Sequence, residues 1–382
     1  MKALHSAYPT RVNVPDETLH NPYQYFGTVR ALGLSAEADT LKNFLDTYLN
    51  QRLSGSGIQF DLTDDLDPTV IMVISDFYRI TGEPNRGNFR NRSLQFHVPV
   101  TRYECSSDCN GEQGTLQVFS YASNMWNALT STELRGPLTR HSTMRVRTWI
   151  EDLHADASPH TCYSMSPQVI GTDGEVGSTV IVSVQKRDEA LNPPYTKTTH
   201  WDIKKNLNKV FAIKQFQHQQ FPKKTCYESL VEVGFDNDGL QPKIDWRNDG
   251  SDESRLAKTC VRIRRDEAHP IVEKLGLKCC APDEYESPER KLRALEKLGH
   301  LGFASEDTQV CDHLLAPVFY QVMEAGAPVK TDAHEAVQQL ATDHPILSAS
   351  SENGPKPIIE DGAVTLCYRY RTDLANNGWM KP

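Results

Sequence analysis

The sequence predicts an α+β protein dominated by a large, curled antiparallel sheet or barrel, on three observations. Six runs of aliphatic, β-branched and aromatic residues have strand length. Gly, Pro, Asn and Asp punctuate them at short intervals, the spacing of tight connections. Clear helical periodicity is confined to two stretches, too few for the alternating strand and helix of a parallel sheet.

In chain order, Leu41–Leu53 (LKNFLDTYLNQRL) places Leu41, Phe44, Leu45, Tyr48 and Leu49 on one face, the spacing of an amphipathic helix. Strands are expected at Thr69–Tyr78, Ser93–Arg102, Thr115–Tyr121, Ser178–Val184, Val210–Phe216 and Cys226–Phe235. The last two are joined by a compact polar link within VFAIKQFQHQQFPKKTCYESLV. Asp236–Glu253 (DNDGLQPKIDWRNDGSDE) reads as an exposed acidic loop or small insertion. Ser287–Gly299 opens with Ser-Pro-Glu and closes on Gly, the start and stop signals of a second helix. Beyond it the pattern loosens into short helical pieces before a late strand in DGAVTLCYRYRTD.

Composition bounds the function. The chain has 382 residues, a net charge of −9 and 38% apolar residues, enough to bury a sizeable core. The acidic balance speaks against nucleic acid or an anionic membrane as partner. No apolar run approaches the roughly 18 residues that span a bilayer, and MKALHSAYPTRVNV lacks the apolar centre of a signal peptide. A cytoplasmic protein is therefore expected. Its nine cysteines, an odd number, then read as reduced thiols and small core residues. Cys105 and Cys109 in CSSDCNGEQG leave a metal pair or a disulfide open, but no second pair at ligand spacing accompanies them and no metal is expected. Adjacent Cys279 and Cys280 read as core thiols. Glycine-rich phosphate loops and a nucleophile elbow are absent, so no cofactor is expected.

Several segments together resemble the acetoacetate decarboxylase family. GTLQVFSYASNMWNALTSTEL (residues 114–134) is similar to that family's strand, turn and helix start, where an aromatic, an Asn and an Ala precede a Gly-Arg-Glu triplet. Here the triplet is Ser131, Thr132 and Glu133, and only the glutamate is kept. IKQFQHQQFPKKTCYESLVE resembles a Leu-Lys-Gln-Phe strand followed by Cys-Tyr and an aliphatic run. AHPIVEKLGL (residues 268–277) resembles a His-Pro-Ile and Leu-Gly-Leu ending, and PYQYFGTVRALGLSAEADTL supplies an N-terminal match. The similarity spans roughly residues 20 to 280. It implies a cone-like antiparallel β barrel with flanking helices as domain 1–280, homo-oligomers, and a pocket inside the barrel. Residues 281–382 are then a C-terminal helical elaboration with a late strand, packed on the barrel.

The chemistry the resemblance implies is Schiff-base decarboxylation of a β-keto acid by a lysine amine. An amine with its ordinary pKa of about 10.4 is protonated and no nucleophile, so such a pocket must lower that value. This sequence departs from the pattern there. After Glu133 the family has Pro-Lys, whereas here Leu138 follows Pro137, and no lysine lies between Glu112 and Lys186. The family's barrel glutamate falls near Ser93, and Arg30 is the only candidate for the basic residue of the first strand. The expectation is a protein that acts on or binds a small carbonyl-containing organic acid by a route other than the lysine Schiff base. Its alternatives are a non-lyase enzyme (isomerase, hydratase or tailoring enzyme) and an inert binding protein.

The candidate catalytic residues are Glu133, Arg140 and His141, on the segment that lines the pocket in relatives. Arg135, Arg92, Ser93, His97, Leu138 and Lys214 are the candidate substrate-binding residues. Arginines suit a carboxylate by bidentate hydrogen bonding, and His serves as acid or base near neutral pH. The competing readings are structural: STELRGPLTRH as a solvated loop, His97 as a satisfied core histidine and Lys214 as a strand lysine facing solvent.

Overall fold

The computed structural model describes residues 24–54, 57–63, 67–81, 89–104, 111–131, 138–154, 157–170, 176–191, 203–217, 225–234, 240–247, 253–264, 269–280, 312–325 and 329–330. Its dominant feature is one 16-stranded sheet. The strands are β1 (Gln24–Ser35), β2 (Ile58–Leu62), β3 (Thr69–Thr81), β4 (Phe89–Glu104), β5 (Glu112–Ala122), β6 (Thr139–Val146), β7 (His160–Ile170), β8 (Val176–Ser178) and β9 (Val182–Lys186). They continue as β10 (Lys209–Gln217), β11 (Thr225–Gly234), β12 (Leu240–Arg247), β13 (Thr259–Arg264), β14 (Asp312–Leu315), β15 (Pro317–Ala325) and β16 (Val329–Lys330). Helices are few and short: α1 (Ala38–Leu45), α2 (Met125–Thr130), α3 (Ile203–Asn206), α4 (Glu253–Ala257) and α5 (Ile271–Leu275).

The main path runs β12-β15-β1-β3-β4-β5-β6-β7-β9-β13-β14. A single residue, Ala316, separates β14 at one end of this path from β15 near the other, so the sheet must curl until its two ends adjoin. Most pairings are antiparallel, but β5 takes two parallel partners on one edge. Thr115 and Leu116 pair with β10, and Ser120, Tyr121 and Ala122 pair with β6. The sheet is therefore mixed, antiparallel in most pairings and parallel where β5 meets β10 and β6. The physical reason is that β5 and β6 are joined through α2 rather than a tight turn, and a crossover connection returns the chain in the same direction.

Strand alternation sorts side chains onto two faces. One carries Arg30, Leu32 and Leu34 of β1, with Met72, Ile74 and Asp76 of β3. It continues through Arg92, Leu94 and Phe96 of β4, Tyr121 of β5, Tyr163 and Met165 of β7, and Tyr320 and Val322 of β15. The apolar members of this set form the large core cluster. Leu41 and Leu45 of α1 and Leu49 beyond it are buried in the same cluster and plug the curl. Burial of each such leucine is worth about 1.5–3 kcal/mol. The opposite face carries Val29, Ala31, Ile71 and Val73, which pack into a second cluster with Phe319 and Met323.

The periodicity at Leu41–Leu53 corresponds to α1 and a wider helical turn over Asp46–Asn50. Asn50 ties that turn to β2, because its side chain donates to the Phe60 carbonyl (2.8 Å) and accepts from the Phe60 N–H (2.9 Å). The six expected strands all contain strand, but Ser178–Val184 splits into the end of β8 and the start of β9. One expectation needs correction. Leu240–Arg247, inside the expected acidic loop, is β12, an edge strand whose Trp246 stands opposite Tyr320. Beyond residue 280, β15 pairs with β1 and β12 near that end of the sheet. The expected helix at Ser287–Gly299 and the late strand in DGAVTLCYRYRTD lie outside the described residues, as do Cys105 and Cys109. Cys162, Cys260 and Cys280 are buried and Cys279 is half-buried.

Candidate functional site

The polar groups of the inward face concentrate in two sets. The first is built around Arg30 of β1, placed inward by the same alternation that buries Leu32 and Leu34. Its guanidinium donates to Glu151 Oε1 through Nε (2.8 Å) and Nη2 (2.7 Å), and the side chains are only 5% and 2% exposed. Tyr320, across β1 from Leu32, donates its hydroxyl to the other carboxylate oxygen of Glu151 at 2.6 Å. The ring of Trp149 lies 3.7 Å beneath the guanidinium carbon. Tyr163 stacks on the same indole, with centroids 5.9 Å apart and planes 15° apart.

Glu151 reaches the set from the short turn Ile150–Asp152, whose entry residue Trp149 is extended. This local break swings Trp149 and Glu151 into the interior together. One Arg30 nitrogen, Nη1, and the Tyr163 hydroxyl are buried without a hydrogen-bond partner. Burial drives the Tyr163 phenol pKa upward, and burial plus the Glu151 carboxylate does the same at Tyr320, so both hydroxyls stay protonated and available to donate. Arg92 and Asp76 complete this set: Asp76 stands opposite Arg92 and accepts its Nε–H at 3.1 Å, and both charges act on Tyr163.

The second set joins Tyr121, Arg140 and His269. Tyr121 is fully buried and its hydroxyl lies 3.0 Å from His269 Nδ1. Arg140, opposite Tyr121 in the β5–β6 pairing, brings Nη1 to 3.2 Å from both imidazole nitrogens. Because a guanidinium only donates, one ring nitrogen of His269 must accept. His269 is held just before α5, where Pro270 starts the helix. Arg92 sits two residues from Leu94, the β4 partner of Tyr121, on the same face, so the two sets are diagonal neighbours.

Of the residues singled out by sequence, Arg92 and Arg140 are placed on this inward face. Arg140 is exposed at its end, with its guanidinium turned back to His269. Ser93 and His97 face the other way. Ser93 is buried between Ser75 and Ala122, and His97 is 1% exposed, with Nδ1 3.2 Å from Thr115 Oγ1 and Nε2 3.1 Å from Gln95 Oε1. Burial lowers the His97 pKa to about 3, as in a neutral, satisfied core histidine. His141 also turns away from Arg140, to Gln168 Oε1 (2.8 Å) and the Ser123 carbonyl (3.1 Å). Leu138 is 66% exposed and does not line the interior. Glu133 and Arg135 lie outside the described residues, and the same holds for the Lys214 side chain, although its backbone pairs with Ser229 in the β10–β11 hairpin.

Sequence reasoning missed Glu151, Trp149, Tyr163, Tyr320, Asp76 and His269 as site residues. His269 had a signal, the His-Pro-Ile of AHPIVEKLGL. Glu151 and Trp149 had a weaker one, an aromatic and an acid inside WIEDL between strands. Tyr163 and Tyr320 had none, because an inward tyrosine on a strand reads as core. Among the described residues no group of three or more His, Cys, Asp or Glu is placed to hold a metal ion, and no helix is long and apolar enough to cross a membrane.

No family model matches the chain, and no curated protein matches it. Solved structures similar to it include an acetoacetate decarboxylase from Legionella pneumophila subsp. pneumophila str. Philadelphia 1, at 12% identity and a TM-score of 0.42, covering 82% of this chain and 89% of that one. A second acetoacetate decarboxylase structure is 10% identical with a TM-score of 0.45, covering 86% and 95%. The enduracididine biosynthesis enzyme MppR, complexed with the condensation product of pyruvate and imidazole 4-carboxaldehyde, is 8% identical with a TM-score of 0.41, covering 81% and 86%.

Proposed function

We propose that the protein binds and acts on a small organic acid bearing a carbonyl group, inside the curl of the sheet, with Arg30 and Tyr163 receiving its oxygens. The observation that supports this reading is the pair of buried, unpartnered polar groups, Arg30 Nη1 and the Tyr163 hydroxyl, on two residues that both pack against the Trp149 ring. A buried donor without a partner costs about 1–3 kcal/mol, and a compact anion with several acceptor oxygens removes that penalty at both. Glu151 and Tyr320 hold the guanidinium in place, and the Trp149 ring packs against it.

Chemistry at the carbonyl then follows from the same groups. A protonated phenol in a dry site stabilises negative charge developing on a carbonyl oxygen. His269, held by Tyr121 and Arg140, is the nearby acid or base. This set favours acid–base chemistry over iminium formation, because residues 113–185 contain no lysine and Leu138 points to solvent. Whether such an enzyme is lyase or non-lyase turns on the acid it binds.

Calorimetry with pyruvate and acetoacetate tests the reading. Arg30→Met should weaken binding by about 1.5–3 kcal/mol and Tyr163→Phe by about 0.5–1.5 kcal/mol. In the free protein Tyr163→Phe should be neutral or stabilising, since it deletes an unsatisfied hydroxyl. Binding of neither acid by the wild type, or undiminished binding by both variants, overturns the proposal.

A further inference from the structure

Behind the supports of Arg30 lies a small cavity of about 40 Å³ with an unusual charge balance. Lys186, Arg255, Lys258 and His154 line it together with Ile150, Leu153 and Trp246, and among the described residues no carboxylate does. One other cluster of cations comes with matching acids: Arg102 meets Glu104, Glu112 and Glu232, and Lys209 meets two of the same three. At this cavity, among the described residues, Lys186, Arg255 and Lys258 make no ion pair. Lys186 is the most telling of them. It continues the inward alternation of Val182 and Val184 on β9, is only 9% exposed, and donates one amine hydrogen to the Ala157 carbonyl. An ammonium has three donors, and a buried one without a counter-charge carries a substantial desolvation cost.

We propose that this cavity is an anion site, separate from the interior Arg30 set, that takes a small dianionic oxyanion of the phosphate type. Three positive charges with no lining acid among the described residues favour a dianion over a monocarboxylate. The volume is room for roughly three water molecules, the scale of one tetrahedral oxyanion and too small for a drug-sized ligand. The remaining walls fix its place in the fold. Ile150 begins the turn that carries Glu151, and the Trp246 ring lies 5.6 Å from the Arg255 guanidinium and 5.1 Å from the Tyr320 ring. The site therefore shares its walls with the groups that position Arg30, without using Arg30 itself.

The test is inorganic phosphate added to the full-length protein, with chloride at matched ionic strength as control, read by thermal shift and calorimetry. Phosphate should give a saturable rise in melting temperature that chloride does not, as for any ligand that binds only the native state. Lys186→Met and Lys258→Gln should each weaken phosphate binding roughly tenfold or more, the worth of one charge-assisted contact. Lys258→Arg should retain it, and Arg30→Met should leave it unchanged. Lys258 is partly exposed, so its variants keep the test decisive if Lys186→Met does not fold. A response equal to that of chloride, an undiminished response in Lys258→Gln, or a response abolished by Arg30→Met would each overturn the proposal, the last by moving the anion to the interior.

Discussion

His97 separates a site residue from a core residue on physical grounds alone. On β4 it follows Phe96, which packs inward, so its own side chain goes to the opposite face and meets Thr115 and Gln95. Burial depresses its pKa from 6.5 to about 3, which ties stability to pH with a definite sign. Between about pH 3 and 6.5 the unfolded chain binds a proton that the folded one refuses. The stabilisation from a neutral His97 is therefore complete above pH 6.5 and is lost as pH falls towards 3, by several kcal/mol in all. Urea unfolding of wild type and His97→Asn across this range checks it. The variant should be less stable at neutral pH but lose less of its stability on acidification, and parallel pH profiles would refute the assignment. Residue identity alone leaves both Arg140 and His97 as candidates, one catalytic and one substrate-binding; strand phase divides them.

At the scale of elements, the seam between α1 and α5 positions both the core plug and His269. Gly276 ends α5 in the left-handed region, at φ 57°, and its carbonyl accepts the Glu37 N–H at 2.9 Å. A β-carbon there would lie 2.6 Å from Thr40 Cβ, so the site demands glycine twice, for conformation and for space. Gly276→Ala should cost about 1–3 kcal/mol, visible as a lower denaturation midpoint with an unchanged m value. A midpoint within error of wild type would show that the seam is looser than described. The spacing of Leu41, Phe44, Leu45, Tyr48 and Leu49 marks α1 in the sequence, whereas AHPIVEKLGL carries there only a family resemblance and not a helix with its stop. What local pattern could not show was β12 and β15. The polar, half-exposed run LQPKIDWR becomes a strand only because β15 offers it an edge, and β15 finds β1 from almost three hundred residues away. Tertiary pairing, rather than propensity, decides such segments.

Across the whole molecule, curling the sheet until β14 and β15 adjoin turns one face inward for most of the strands. The same event buries an apolar core and confines a few charges. The N-terminal strand supplies Arg30, the middle of the chain supplies Trp149, Glu151 and Tyr163, and β15 supplies Tyr320, so the site exists only in the folded whole. The resemblance in sequence pointed to the segment around residues 131–141 and to a reactive amine in it. The structure puts Leu138 of that segment in solvent and an arginine, Arg30, at the buried polar centre. A guanidinium forms no iminium with a ketone, so borohydride reduction in the presence of acetoacetate or pyruvate should leave the protein mass unchanged. Leu138→Lys should not restore trapping, because a lysine at that exposed position keeps its ordinary protonation and the Ser93 side chain faces away from the interior. Peptide mapping of the treated protein gives the decisive reading. A reduced adduct on Lys186, which alternates inward with Val184, or on Lys214 of β10 would establish a relocated Schiff-base amine and displace acid–base chemistry as the mechanism.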